Sequence, residues 1–343
     1  MGLTQKEVKE IRKLLDSSRN PLFFFDDDPD GLCSFLLLYR YAKKGHGVVV
    51  KSLPELREQF VRKVEDYNPD VIFVLDKPKV SQEFIDQANR KIVWIDHHEP
   101  QERKGVMYFN PRLRKEANVP TSYLCHQIVE SDLWIAAVGV VADWVYKKDI
   151  YDAFSRQYPE LLPPGITDPQ VGLFETPLGE IVRLFSFILK GDTRVAMGCV
   201  KILTRVGDIR ELVEQKTPQA KYLTKRFKEV NREYQSLLKS GCAAAKKQDP
   251  LLLFSYTDDT ISLTSDLSNE LLHRFPEKTI IVCREKSGEM KCSLRSAALL
   301  LPPLVQQSLA GLEGYGGGHE HACGAVVKTH NFDEFIRRIR GQI

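Results

Sequence analysis

The first hundred residues alternate short apolar runs with stretches of helical periodicity. The runs Pro21–Phe25 (PLFFF), Gly47–Lys51 (GVVVK), Val71–Leu75 (VIFVL) and Ile92–Ile95 (IVWI) show almost no polar face. Strands of this kind are buried on both sides, so they predict a parallel sheet covered by helices on each face. The spacing predicts helices over Leu32–Lys43, Leu53–Glu65 and Gln82–Arg90, and a mostly helical region from Thr121 to about Arg205.

Residues 221–240 carry an apolar stripe at Leu223, Phe227, Val230, Tyr234 and Leu237, which predicts one long helix. Gly241–Pro250 ends it as a linker. The pattern then restarts with the strand Leu251–Tyr256 and a helix ending near Phe275. The strands Thr279–Glu285 and Glu289–Ser296 follow about a turn at Ser287–Gly288, then a glycine run, the strand Gly324–Lys328 and a final helix Asn331–Arg340. The fold class is α/β: an N-terminal parallel-sheet domain over 1–215, a basic helical connector over 216–249 and a smaller α/β domain over 250–343.

The 343 residues include 49 Lys and Arg against 46 Asp and Glu, a formal charge of +3. This excludes a protein that holds nucleic acid by net charge alone. The charge is uneven: 221–247 holds eight basic and two acidic residues, a net +6, read either as a solvated helix face or as a surface for a polyanion. No apolar segment reaches the roughly 18 residues of a membrane span, and the charged, amphipathic start lacks a signal-peptide core. Seven scattered cysteines without a CxxC pair argue against a disulfide framework or zinc ribbon, so a reducing, cytoplasmic location is expected.

Three of the predicted strands run straight into acids: Asp26-Asp27-Asp28-Pro29-Asp30-Gly31, then Asp76, then Asp96-His97-His98. In an open parallel sheet the carboxyl ends of the strands share one edge, where ligands bind. One acid after a strand is ordinary turn chemistry; three clusters, one with paired histidines, are hard to assign to it. Asp143 closes the apolar run Trp134–Ala142 and reads either as a turn or cap residue or as a fourth member of the group. Carboxylates crowded within a few ångströms either protonate or hold cations. A set rich in oxygen with a minority of imidazole suits Mn²⁺ or Mg²⁺, and a bridged pair of such ions suits phosphoester hydrolysis.

These residues resemble the four motifs of the DHH phosphoesterases: DxDxDG (Asp26, Asp28, Asp30, Gly31), a lone Asp after a second strand (Asp76), the triplet Asp96-His97-His98, and Asp143 after an apolar helix. The segment from Gly316-Gly317-Gly318-His319 to Gly324 is similar to the GGGHxxAAG signature of the associated DHHA1 domain, with Cys323 in place of an alanine. Ser293-Leu294-Arg295-Ser296 is similar to that domain's SxRS strand. The resemblance spans about residues 22–325 and implies a DHH domain followed by a DHHA1 domain. It implies two Mn²⁺ ions, or Mg²⁺ in their place, on Asp26, Asp28, Asp30, Asp76, His97 and Asp143, with Asp76 bridging. It also implies His98 near the scissile phosphate as proton donor or electrostatic stabiliser, with Asp96 orienting the histidines. In the second domain, a phosphate or terminal nucleotide is expected on Ser293, Arg295, Gly316, Gly317, Gly318 and His319. Successive glycines let backbone N–H groups approach an anion as a nest, and arginine grips phosphate with two donors.

Asp26 stands where small-substrate members carry histidine, which moves the match toward RecJ-like exonucleases; the length moves it toward their short archaeal type. The implied activity is a metal-dependent exonuclease that trims single-stranded DNA or RNA to nucleoside monophosphates, 3′→5′ by analogy, in DNA repair, replication or RNA turnover. A helicase or replisome protein is the implied protein partner, and no membrane is. Two alternatives stand beside this reading. One is a phosphoesterase of very short RNAs or of 3′-phosphoadenosine 5′-phosphate. The other is a non-catalytic replisome scaffold, for which a degraded metal site is expected.

Overall fold

The structure, a computed structural model, describes residues 2–51, 55–116, 118–258 and 261–343. The chain divides into two compact units, Met1–Phe227 and Lys228–Ile343. The first contains strands β1 (Pro21–Asp26), β2 (His46–Val50), β3 (Glu55–Leu56), β4 (Val71–Leu75), β5 (Lys79–Val80), β6 (Lys91–Ile95) and β7 (Met107–Phe109). Five of them form a parallel sheet in the order β2-β1-β4-β6-β7, and β3 pairs with β5 apart from it.

Alternation along each strand divides the apolar runs between two cores. Phe23 and Phe25 belong to one, where Phe25 stacks on Phe35 at 4.6 Å. Phe24 belongs to the other, where it meets Phe84 edge-on at 5.6 Å. Both faces are therefore covered, as the apolar runs predict. From β1 the chain moves to one side for β2, then crosses to the other side for β4. The carboxyl ends of β1 and β4 thus flank the switch point at which open α/β sheets take ligands. β1 ends on Asp26, and Asp76 directly follows β4.

The segment predicted as a helix over Leu53–Glu65 is different. Leu53 lies outside the described residues, Glu55–Leu56 is a strand, and helical structure begins at Glu58–Phe60 and continues over Val61–Tyr67. Leu56 owes its burial to pairing with Val80 rather than to a helix face. Beyond residue 120 the helical prediction holds. The helix Leu133–Ala142 is apolar on every face and buried throughout Trp134–Val141, against Pro29–Ala42 and Pro177–Ile188. The long basic helix runs from Pro218 to Ala243. Among the described residues no helix is long and apolar enough to cross a membrane.

The second unit holds β8 (Leu251–Thr257), β9 (Thr279–Lys286), β10 (Glu289–Arg295), β11 (Gly314–His319) and β12 (Ala322–Lys328) in the order β11-β12-β10-β9-β8. β8 is parallel to β9 and the other pairs are antiparallel. The glycine run, read from the sequence as a turn or nest, is the edge strand β11. A Cβ on Gly316 would stand 2.7 Å from Val305 Cγ1 and 2.8 Å from Gly324 O. Close approach of neighbouring chain, rather than a free loop, therefore demands glycine there.

Gly31, in the first turn of the helix Pro29–Ala42, is pressed against β1: a Cβ would lie 2.7 Å from Asp26 N and 2.8 Å from Asp26 O. In an open helix interior, Gly→Ala stabilises by about 1 kcal/mol. Here the obstruction is backbone, and Gly31→Ala is expected to destabilise by about 1–3 kcal/mol. The measurement is a lower urea midpoint at unchanged slope; a midpoint at or above the parent's would show that the junction yields.

Candidate metal centre

The residues after β1 are built to start a helix. Asp28 is the N-cap, its Oδ1 accepting from Gly31 N at 2.8 Å, and Pro29 opens the first turn. Asp30 lies in that turn and is buried. A second helix N-terminus, that of Thr121–Val129, meets it. Thr121 N donates to Asp30 Oδ2 at 2.7 Å and Ser122 N to Oδ1 at 3.0 Å, and the Ser122 hydroxyl also donates to Oδ1. Two helix N-termini thus bring positive peptide-dipole ends to the acids.

Asp76 follows β4 in the left-handed region, at φ +59°. Its N–H donates to Ile95 O at 3.0 Å, and its Oδ1 accepts from Thr121 Oγ1 at 3.1 Å. The same oxygen lies 3.2 Å from His97 Nε2 and 4.0 Å from His98 Nδ1. His97 Nδ1 is 2.6 Å from Asn118 Oδ1 and 3.6 Å from Asp143 Oδ2. Asp143 is the C-cap of the apolar helix, and its Oδ2 is buried without a hydrogen-bond partner among the described residues. Asp96 is fully buried and grips His98: Oδ1 is 2.8 Å from His98 Nδ1, and Oδ2 accepts from His98 N at 3.1 Å and from the Tyr108 hydroxyl at 3.3 Å.

The structure therefore gathers Asp26, Asp28, Asp30, Asp76, His97, His98 and Asp143. They form three overlapping triads: Asp26–Asp28–Asp76, Asp30–His97–Asp143 and Asp76–His97–His98. Within each triad one ligand-type atom per residue lies within 4.8 Å of the others. Burial pushes the carboxyl groups of Asp26 and Asp143 up to about 8, against the lowering influence of Lys77 on the first and His97 on the second. Burial also raises Asp30 and Asp76, with further upward pressure from neighbouring carboxylates. On His97, burial acts downward, but the Asp143, Asp76 and Asp30 carboxylates override it and hold the imidazole well above its usual range. Protons thus stand where divalent charge would serve better. Five carboxylates with imidazole form a donor set for a hard cation such as Mg²⁺ or Mn²⁺, and Asp143 Oδ2 is an acceptor that the described protein leaves unfilled.

Several residues of the centre had no motif to mark them. Thr121, Ser122 and Asn118 reach it through backbone and side-chain hydrogen bonds from a distant segment. Lys77 is completely buried, with Nζ 2.9 Å from Asp26 Oδ1. Its one sequence signal was its place beside Asp76, two residues after the end of β4.

In the second unit, the predicted substrate residues occupy adjacent rows of one sheet. Ser293 pairs with Gly324 and Gly324 with Gly317; Arg295 pairs with Ala322 and Ala322 with His319. By strand alternation Gly317 and His319 share a face, and Gly316 and Gly318 lie on the opposite one. Among the described residues, nothing lies within 4 Å of a Cβ placed on Gly317. Arg295 donates from Nε to Asn269 Oδ1 at 2.6 Å and from Nη2 to Ser265 Oγ at 2.9 Å. Burial lowers its guanidinium to about 10, so it is cationic at neutral pH.

Residues 22–166 match the family model described as the DHH family, N-terminal domain, and residues 253–343 match the DHHA1 domain. No curated protein matches the chain significantly. Among solved structures, the chain is similar to RecJ in complex with Mn²⁺ from Thermus thermophilus (TM-score 0.71, 15% identity), all of this chain aligning with 55% of that one. The chain thus spans about half the length of that RecJ. It is also similar to an exonuclease RecJ bound to manganese (TM-score 0.58, 14% identity, 99% of this chain and 95% of that one). A pGpG-specific phosphodiesterase from Vibrio cholerae aligns with 94% of this chain and 98% of its own, at TM-score 0.50 and 13% identity. At these identities the likeness is one of fold.

The raised carboxyl groups and the raised His97 make the same prediction for metal-free protein. Each binds its proton more tightly folded than unfolded, so the stability it contributes is present at low pH and lost as pH rises through the folded value. For Asp26 and Asp143 the window runs from about 4, the unfolded value, to about 8. The melting temperature of EDTA-treated protein is expected to fall between pH 5 and 8, less so in Asp143→Asn, and Mn²⁺ is expected to restore more of it at pH 8 than at pH 5. Equal Mn²⁺ effects at the two pH values would contradict this account.

Proposed function

We propose that this chain, which belongs to the DHH family of phosphoesterases and carries a DHHA1 domain, is an exonuclease that hydrolyses single-stranded DNA or RNA to nucleoside monophosphates with two divalent cations, Mn²⁺ or Mg²⁺. The observation that carries the reading is the convergence of four sequence-distant acidic motifs at the sheet's switch point, with Asp76 shared by two triads. Bound there, divalent cations would clamp a phosphate and make a bound water nucleophilic near neutral pH. Asp26, Asp28, Asp30, Asp76, His97 and Asp143 are the proposed ligands.

The chain's own groups supply the rest. Asp96 holds His98 by Nδ1 and by the backbone N–H, which fixes the ring and leaves proton delivery to the leaving oxygen to Nε2. Thr121 and Ser122 keep Asp30 and Asp76 in place by hydrogen bonds, as supporting groups do around metal ligands. In the second unit, the side-chain-poor row Ser293–Gly324–Gly317 beside Arg295 and His319 is the proposed seat for a terminal phosphate or nucleotide. Digestion from the 3′ end, a role in repair, replication or RNA turnover, a helicase or replisome partner and a cytoplasmic location belong to the same proposal. The likeness to the pGpG-specific phosphodiesterase, which covers nearly both chains, supports a second reading as a hydrolase of very short oligonucleotides.

With Mn²⁺ and end-labelled DNA and RNA 20-mers of both polarities, progressive shortening from one end is expected. Asp143→Asn and His97→Ala are expected to abolish it, and Asp96→Asn to slow it by roughly 10–100-fold. Cleavage of a dinucleotide with the 20-mers left intact would favour the second reading. No metal-dependent hydrolysis of either would overturn both.

A further inference from the structure

Lys77 is a lysine with no exposed side-chain surface inside a group of acids. An ammonium is removed from water at a cost of several kcal/mol unless it is paired. The pair is present: Nζ lies 2.9 Å from Asp26 Oδ1, and Asp27 N also donates to that oxygen at 2.8 Å. The main chain fixes the position as well. Trp94 Nε1 donates to Lys77 O at 2.9 Å, and Trp94 is itself stacked on Tyr108 at 4.0 Å.

The two carboxylate triads therefore differ. Asp30–His97–Asp143 contains a buried acceptor, Asp143 Oδ2, that no hydrogen bond fills among the described residues. Asp26–Asp28–Asp76 contains an oxygen already taken by an ammonium. A divalent ion entering the second triad must either move Lys77 from Asp26 or share the site with a positive charge a few ångströms away, and both weaken its binding. We infer that Lys77 is a tethered counter-ion for the Asp26–Asp28–Asp76 triad, so that the site loads its two cations unequally: tightly at Asp30–His97–Asp143, and weakly where Lys77 must be displaced or tolerated. The inference rests on the two-ion reading above.

The test is Mn²⁺ binding to the EDTA-stripped full-length chain, followed by calorimetry and by Mn²⁺ electron paramagnetic resonance. The parent is expected to bind two ions of well-separated affinity. Lys77→Met, which keeps the volume and removes the charge, is expected to tighten the weaker ion at least tenfold, about 1.4 kcal/mol, and to leave the tighter one within about threefold. In an Asp26→Asn background the same change is expected to have no effect on the weaker ion, because the carboxylate that Lys77 guards is gone. Lys77→Gln, which keeps a donor without the charge, gives the same comparison should Lys77→Met not fold without metal. Two ions bound with unchanged or weaker affinity in both Lys77 variants would overturn the inference and leave the two-ion reading standing. A single ion in parent and variants alike would overturn the two-ion reading itself.

Discussion

Five carboxylates drawn to one edge of one sheet repel each other, and much of the first unit is arranged to tolerate that repulsion. Helix N-termini at Pro29 and Thr121 set peptide dipoles against Asp28 and Asp30. His97 lies between Asp76 and Asp143, and Lys77 lies against Asp26. These countercharges do not offset burial and the neighbouring carboxylates, which together still drive Asp26 and Asp143 to about 8. A protein core would not keep this arrangement for stability, because apolar residues of the same volume do better at less electrostatic cost. The unfavourable charge density is instead what would give a divalent cation its binding energy there.

The sheet makes the convergence possible. Parallel strands deliver all their carboxyl ends to one edge, and the crossover from β2 past β1 to β4 opens the crevice between Asp26 and Asp76. The cores on both faces are apolar and stacked, with Phe23 on Phe73 at 5.2 Å and Phe25 on Phe35 at 4.6 Å. A rigid platform of this kind resists the relaxation by which crowded acids would otherwise move apart. The helix Leu133–Ala142 contributes in the same way: buried on every face, it fixes the position at which Asp143 emerges.

Much of this was legible in the sequence because it is periodic or local. Wholly apolar runs report strands covered on both faces, and acids at their ends report a shared edge. What was not legible has identifiable causes. Thr121 and Ser122 each donate a backbone N–H, which every residue but proline possesses, beside a hydroxyl that is common on any helix start, so neither stands out in the sequence. Lys77 reads as a surface residue until the chain folds over it. The glycine strand β11 was missed because a strand is recognised by alternating side chains, and glycine has none to alternate; the Cβ positions blocked by Val305 and Gly324 become visible only in three dimensions. Leu56 was assigned to a helix because a single buried apolar residue fits either period.

The backbone at Asp76 shows how tightly these pieces are bound to one another. A non-glycine residue in the left-handed region costs roughly 1–2 kcal/mol, and such strain persists where surrounding contacts over-determine the conformation. Asp76 is held at φ +59° by its N–H on Ile95 O, by Thr121 on its carboxylate and, one residue later, by Trp94 on Lys77 O. The turn does something a regular strand cannot. Along a strand, successive side chains point to opposite faces, yet here Asp76 reaches the histidines while Lys77, the next residue, reaches Asp26. One strained residue thus brings an acid and its countercharge into the same centre from adjacent positions in the chain. An extended conformation at residue 76 would separate the two and leave Asp26 without its cation.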